Sequence, residues 1–169
     1  MASQSQQRTV PDDYLARERQ AETKSEYIHG EIVARQGASY EHNVLVSNAL
    51  GELGNQLRGG SCRVVSSDLR VAAGASYCYP DIVVHCDAPV FTDAHLDTLA
   101  NPRVLIEVLS PSTEARDRGD KFVHYRLLPS LEDYVSLDAV LSLPSLGCEL
   151  KLADLYEGTN VLPSASLQP

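Results

Sequence analysis

Tryptophan is absent from this 169-residue chain and phenylalanine occurs only twice, so the flat rings that build base-stacking or sugar-stacking platforms are scarce. No apolar run approaches the roughly 20 residues that a membrane-crossing helix requires. Residues 1–9 are polar where a secretory leader would be apolar, and the chain reads as a soluble, cytoplasmic protein. Positive charge is also in short supply. Lys plus Arg number 14 against 23 Asp plus Glu, and the net charge of −9 argues against strong non-specific affinity for a nucleic-acid backbone. The four cysteines, Cys62, Cys78, Cys86 and Cys148, form no C-x-x-C pair and read as reduced thiols. A zinc site built from Cys78, Cys86 and His85 or His95 would have a spacing that matches no common zinc module. Repeats, low-complexity blocks, a helix-turn-helix and a zinc finger are likewise missing.

What is present fits one domain, because a chain of this length buries roughly two-thirds of the surface it exposes when unfolded. Residues 1–10 read as a disordered N-terminus, 11–157 as the folded domain and 158–169 as a frayed tail. Pro11-Asp12-Asp13 opens a short helix, with proline early and acids in the first turn. Glu26-Tyr27-Ile28 and Glu31-Ile32-Val33 flank His29-Gly30 as a hairpin. Ser39 caps a long helix on which Val46, Leu50, Leu53 and Leu57 recur at helical spacing, and Gly59-Gly60 ends it. Strands are expected at 63–66, 68–72, 81–85 and 104–109, with Gly74 and the stretch 86–102 as turns or loops. Asp117 can cap a helix over about 118–128; a strand at 131–137 follows, then a short strand and a helical turn up to Tyr156.

Two acids interrupt the most apolar of these strands. Asp81 precedes Ile82-Val83-Val84, and Glu107 sits inside Val104-Leu105-Ile106-Glu107-Val108-Leu109. Such runs read as strands buried on both faces, where an ionised carboxylate needs a partner or takes up a proton. Lys121, fourteen residues after Glu107, is the basic candidate, and two acids with a lysine are the usual parts of a magnesium-dependent phosphodiester-cleaving site. From Asn101 to Arg126 the chain carries five basic and four acidic residues, whereas 127–169 carries one and six, so the neutral-to-basic stretch surrounds this candidate site. His42, three residues after the Ser39 cap, either faces the site or packs in the first turn; Glu31 and Glu41 are candidates for outer contacts. Structural readings stand beside these. Asp81 is a turn acid after proline, Glu107 pairs with an arginine, and Lys121 forms an exposed pair with Asp117 four residues before it.

At Pro80-Asp81, at Ile106-Glu107-Val108-Leu109-Ser110-Pro111-Ser112-Thr113 and at Arg116-Asp117-Arg118-Gly119-Asp120-Lys121-Phe122-Val123-His124-Tyr125, the sequence resembles the Uma-type restriction endonuclease family of the PD-(D/E)XK nuclease superfamily. The likeness extends over most of residues 11–157 and takes in Gly30-Glu31 and the Gly37–His42 helix entry. It implies an α/β fold of the α+β mixed-sheet kind, a restriction endonuclease-like core with a central mixed β-sheet flanked by helices. On that sheet Asp81 and Glu107 occupy neighbouring strands and bind Mg²⁺ or Mn²⁺. The superfamily's lysine usually stands two residues after its acid, where this chain has Leu109, so the base maps onto Lys121 of the following helix. Relatives also carry an extra hairpin between the positions of Tyr134 and Leu143, which residues 135–139 replace here by a direct join.

The implied function is a metal-dependent endonuclease acting on weakly bound DNA, with Asp81, Glu107, Lys121 and His42 as site residues and a homodimer as the assembly. A non-catalytic binding or assembly module that retains the fold is the alternative. A glycosidase carboxylate pair leaves the lysine unexplained.

Overall fold

Proline needs no N–H partner in a first helical turn, and Pro11 occupies that turn of α1, Pro11–Glu18, with Asp12 and Asp13 at its positive end. This computed structural model describes residues 9–109, 119, 121–129 and 140–160. Residues 1–8, Asp117, the strand expected at 131–137, the 135–139 join and the end of the tail lie outside the described residues.

Strands β1, Ser25–Ile28, and β2, Glu31–Ala34, pair antiparallel across a turn in which His29 and Gly30 both take positive φ, 54° and 88°. Two consecutive left-handed residues match the twist of a two-residue hairpin, and histidine tolerates that region better than most side chains. Ser39 arrives extended and its hydroxyl accepts the His42 amide, which starts α2, Tyr40–Gln56. Then come β3, Cys62–Ser66; β4, Arg70–Ala73; β5, Ser76–Cys78; β6, Ile82–Cys86; β7, Thr98–Leu99; and β8, Val104–Ile106. The described remainder holds α3, Phe122–Tyr125; the hairpin β9, Val140–Leu143, with β10, Cys148–Lys151; and α4, Leu152–Leu155.

The strands form a five-stranded sheet in the order β2-β1-β5-β4-β7, a three-stranded sheet β3-β6-β8, and the β9–β10 pair. Only β4–β7 is parallel among these pairings, so the five-stranded sheet is mixed, as the resemblance implies, whereas β6 and β8, which adjoin Asp81 and Glu107, lie in the antiparallel three-stranded sheet. Strand β6 explains why its sequence is apolar without alternation. Ile82 and Val84 pack with Ala49 and Leu53 of α2 and with Leu143 and Leu150 of the β9–β10 hairpin, whereas Val83 packs with Val71, Leu99, Tyr125 and Leu128. A strand with a core on each face can be apolar at every position.

Three features depart from expectation. Strands β5 and β7 were not foreseen, β7 being two residues long inside a stretch read as loop. Toward Tyr156 the chain forms a hairpin rather than one strand, turning through Pro144–Gly147 with Gly147 at φ 62°. The third concerns the thiols. Cys62 lies directly opposite Cys86 in the β3–β6 register and the two form a disulfide, so the reading of four reduced cysteines is corrected for that pair. Pairing between strands 24 residues apart leaves no sequence motif. The zinc reading falls with it, since Cys86 is consumed and Cys78 is buried in the core.

Two further contacts close the outer side. Gln56, the last residue of α2, donates from its amide nitrogen to the Glu149 carbonyl at 2.7 Å and accepts the Glu149 N–H at 3.0 Å. No described helix is long and apolar enough to cross a membrane.

Candidate active site

The antiparallel register of β6 and β8 runs Ile82 to Ile106 and Val83 to Leu105; Asp81 immediately precedes β6 and Glu107 immediately follows β8, at the same end of the pair. Two groups of side chains form there. Asp81 meets Arg35 and His42, the latter from α2, which packs on the Ile82 and Val84 side of β6. Glu107 meets Lys121 and Tyr125, on the Val83 side, and Lys121 brings in Glu26.

Asp81 is 5% exposed and fully engaged. One carboxylate oxygen, Oδ2, accepts the Val108 N–H at 2.9 Å, which ties the acid to the residue after Glu107. The other, Oδ1, faces Arg35 Nη2 at 3.2 Å and His42 Nε2 at 3.3 Å. His42 therefore turns toward the site, because the Ser39 cap sets the first turn of α2 against the end of β6. Arg35 stands one residue past β2 and also donates to the Ser67 carbonyl at 3.2 Å.

Glu107 Oε1 lies 3.1 Å from Lys121 Nζ and accepts the Tyr125 hydroxyl at 2.7 Å. Lys121 is itself 5% exposed, so it is no surface lysine, and its ammonium also meets Glu26 Oε1 at 3.0 Å. The same Glu26 oxygen accepts the Tyr79 N–H at 2.9 Å. One ammonium thus bridges an acid from β1 and an acid from the end of β8. Burial first, and then the negative charge of Glu107, push the Tyr125 phenol well above its ordinary pKa, so it stays protonated and donates. Burial also pushes the neighbouring Cys78 thiol up to about 12, with the Glu26 charge adding to the effect, and keeps it neutral.

A cleft of about 370 Å³ opens beside Asp81, with Lys24, Arg35, His42, Asn43 and Ser67 on its walls. Its cations are partly spent: Lys24 pairs with Asp68, and Arg35 with Asp81. Among the described residues, Glu31 and Glu41 make no hydrogen bond or ion pair to this cluster.

Sequence reasoning missed Glu26, Arg35 and Tyr125. Tyr125 carried a usable signal, since it lies four residues after Lys121 and shares its helix face. Glu26 is 1% exposed, yet its phrase, Ser25-Glu26-Tyr27-Ile28, looks like an ordinary strand with one outward acid. Nothing local to Arg35 points to Asp81, 46 residues away.

The oxygen donors suit a hard divalent cation. Mg²⁺ is bound through one or two carboxylates and keeps several waters, and Asp81 with Glu107 supplies two. No cluster of three or more His, Cys, Asp or Glu set to share an ion occurs among the described residues, so any such ion would rest on these two acids and water. Carboxylate oxygens are the donors that Mg²⁺ or Mn²⁺ takes.

Residues 11–152 match the family model described as "Uma2: Putative restriction endonuclease". Two proteins of Synechocystis sp., the uncharacterized proteins sll1609 and slr1290, are 40% and 39% identical over 128 and 127 residues. These alignments span 75% and 74% of this chain, and 72% and 66% of the relatives' own lengths. In three dimensions the chain resembles the crystal structure of "a putative nuclease belonging to DUF820" from Anabaena variabilis, with a TM-score of 0.67 over 88% of this chain and 97% of that one. Identity there is 21%, so that likeness speaks to the fold alone. From a family match across most of the folded residues, with a shared architecture beneath it, it follows that this chain belongs to the Uma2 family.

Proposed function

We propose that the protein is a divalent-metal-dependent endonuclease that hydrolyses DNA phosphodiester bonds, with Asp81 and Glu107 as metal-holding acids and Lys121 as the base-side cation. The observation that supports this reading is that Asp81 adjoins β6 and Glu107 adjoins β8 at the same end of one strand pair, with Lys121 Nζ 3.1 Å from Glu107. A bound Mg²⁺ or Mn²⁺ supplies Lewis acidity at the phosphoryl oxygen and acidifies a water.

The chain's own groups do the rest. The Val108 amide holds Asp81 in one orientation, and Tyr125 does the same for Glu107. Glu26 keeps the Lys121 ammonium aimed at Glu107, where it can donate to the attacking water and stabilise its deprotonated form. Arg35, Lys24 and Asn43 line the cleft beside Asp81 and offer donors to a phosphate; His42 adds an imidazole nitrogen at Asp81. With a net charge of −9 the protein neutralises few phosphates, so DNA affinity is weak and its salt slope shallow, about −0.9 per contact.

The test is nicking of supercoiled plasmid and cleavage of single strands with Mn²⁺ and Mg²⁺, beside Asp81→Asn and Glu107→Gln. The reading requires activity in the wild type that both substitutions abolish. The homodimer belongs to the same proposal, and sedimentation velocity reads it.

One observation favours a second reading, a binding module that keeps the fold without chemistry. Lys121 already meets two carboxylates, so the cluster can serve as an internal ionic tie. Calorimetric titration with Mg²⁺ separates the two readings, because an ionic tie has no reason to bind Mg²⁺, whereas a metal site binds it in the wild type and loses it in Asp81→Asn.

A further inference from the structure

One turn beyond Lys121, a second polar contact joins the same helix to the same hairpin. His124 Nε2 lies 3.0 Å from His29 Nε2, while His124 Nδ1 lies 3.2 Å from Ser76 Oγ. His124 and Ser76 are buried, and His29 is exposed at the tip of the β1–β2 turn. The ring centroids are 4.3 Å apart with the planes at 60°. Had the rings met end to end, two ring radii would add to the 3.0 Å between nitrogens, so they meet at an angle. At this separation one ring can donate to the other, and two nitrogens so close are also near the spacing of neighbouring ligands on one ion. The contact to Ser76 completes the pattern: a ligating imidazole characteristically uses its other ring nitrogen on an oxygen, which fixes the tautomer and turns the ligating lone pair outward.

We infer that His29 and His124, with Ser76 behind His124, form a site for one borderline transition-metal ion of the Zn²⁺, Ni²⁺ or Cu²⁺ class, its remaining positions open to water through the exposed side of His29. Imidazole nitrogens select these ions, whereas Mg²⁺ prefers oxygen. The site is separate from the Asp81–Glu107 carboxylates and stands whether or not those are catalytic. An ion there staples α3 to the β1–β2 turn just past the Lys121–Glu26 pair, and so steadies the helix that carries Lys121.

The experiment uses the untagged full chain, titrated calorimetrically with Zn²⁺ and Ni²⁺, and with Cu²⁺ followed by electron paramagnetic resonance for bound imidazole nitrogen. One saturable equivalent is expected. His29→Asn keeps a residue that accepts positive φ and removes a ligand, so affinity falls by at least about tenfold with the thermal midpoint of the metal-free protein little changed. Ser76→Ala retains both ligands and weakens binding by about tenfold. Asp81→Asn and Glu107→Gln leave it intact. Undiminished binding in His29→Asn, no saturable binding in the wild type, or loss in the carboxylate variants would each overturn the assignment.

Discussion

Replacing Lys121 with Met retains the aliphatic stem and removes the ammonium that Glu26 and Glu107 share. The Glu26 side chain is 2% exposed and that of Glu107 13%, so water reaches neither freely. Removing one partner from a buried ionic group costs about 3–5 kcal/mol, because the remaining charges stay desolvated. For a domain of this size each kcal/mol lowers the thermal midpoint by about 2–4 °C, which gives a drop of about 6–20 °C. In urea at neutral pH, without divalent ions, the midpoint should fall by about 2 M at an m-value near 2 kcal/mol/M. Adding Glu26→Gln removes one stranded charge, so the double variant should recover more than about 1 kcal/mol relative to additivity. The reasoning fails if Lys121→Met stays within about 0.5 kcal/mol of wild type, the behaviour of an exposed pair, or if the cycle is additive.

Three other outcomes are expected. Tyr125→Phe removes a 2.7 Å hydrogen bond to the Glu107 carboxylate and should lower stability by about 1.5–3 kcal/mol in urea melts. Thiol titration of the unfolded, unreduced chain should find two thiols, rising to four after reduction; Cys62→Ser, which opens a loop spanning 24 residues, should cost about 3 kcal/mol. Arg19, donating to both Asp97 oxygens, holds that carboxyl well below the usual carboxylate range, with Thr98 and Arg70 assisting. A depressed pKa gives stability that is present above the unfolded value of about 4 and is lost as pH falls through the folded one, so acid melts of Asp97→Asn should be less steep than wild type below about pH 4.

The sequence made the cap, the hairpin and the long helix legible because each rests on local rules. Ser39, His29-Gly30 and the spacing of Val46, Leu50 and Leu53 need no distant partner. Asp81 and Glu107 stand out in the sequence for a different reason, being acids set against apolar strand runs. What stayed hidden depends on register. Cys62 and Cys86 look like unrelated thiols until β3 and β6 align, and Glu26 looks solvent-facing until α3 lies over β1. Arg35 pairs with Asp81 only because two different sheets meet there. Lys121 is buried where its structural reading has an exposed lysine, because helix periodicity says which residues share a face, and nothing about what covers that face.

The amide of Gln56 has an effect on how this protein meets copies of itself. A two-stranded ribbon is marginal alone, and its outer strand ordinarily presents N–H and C=O groups to any extended peptide that drifts past. At Glu149 both groups turn away from β9 and end on one glutamine side chain, which supplies the donor and the acceptor that an arriving strand would bring. The helix thereby impersonates the next strand, and the ribbon is terminated from within its own chain at the point where recruitment by a neighbour would begin.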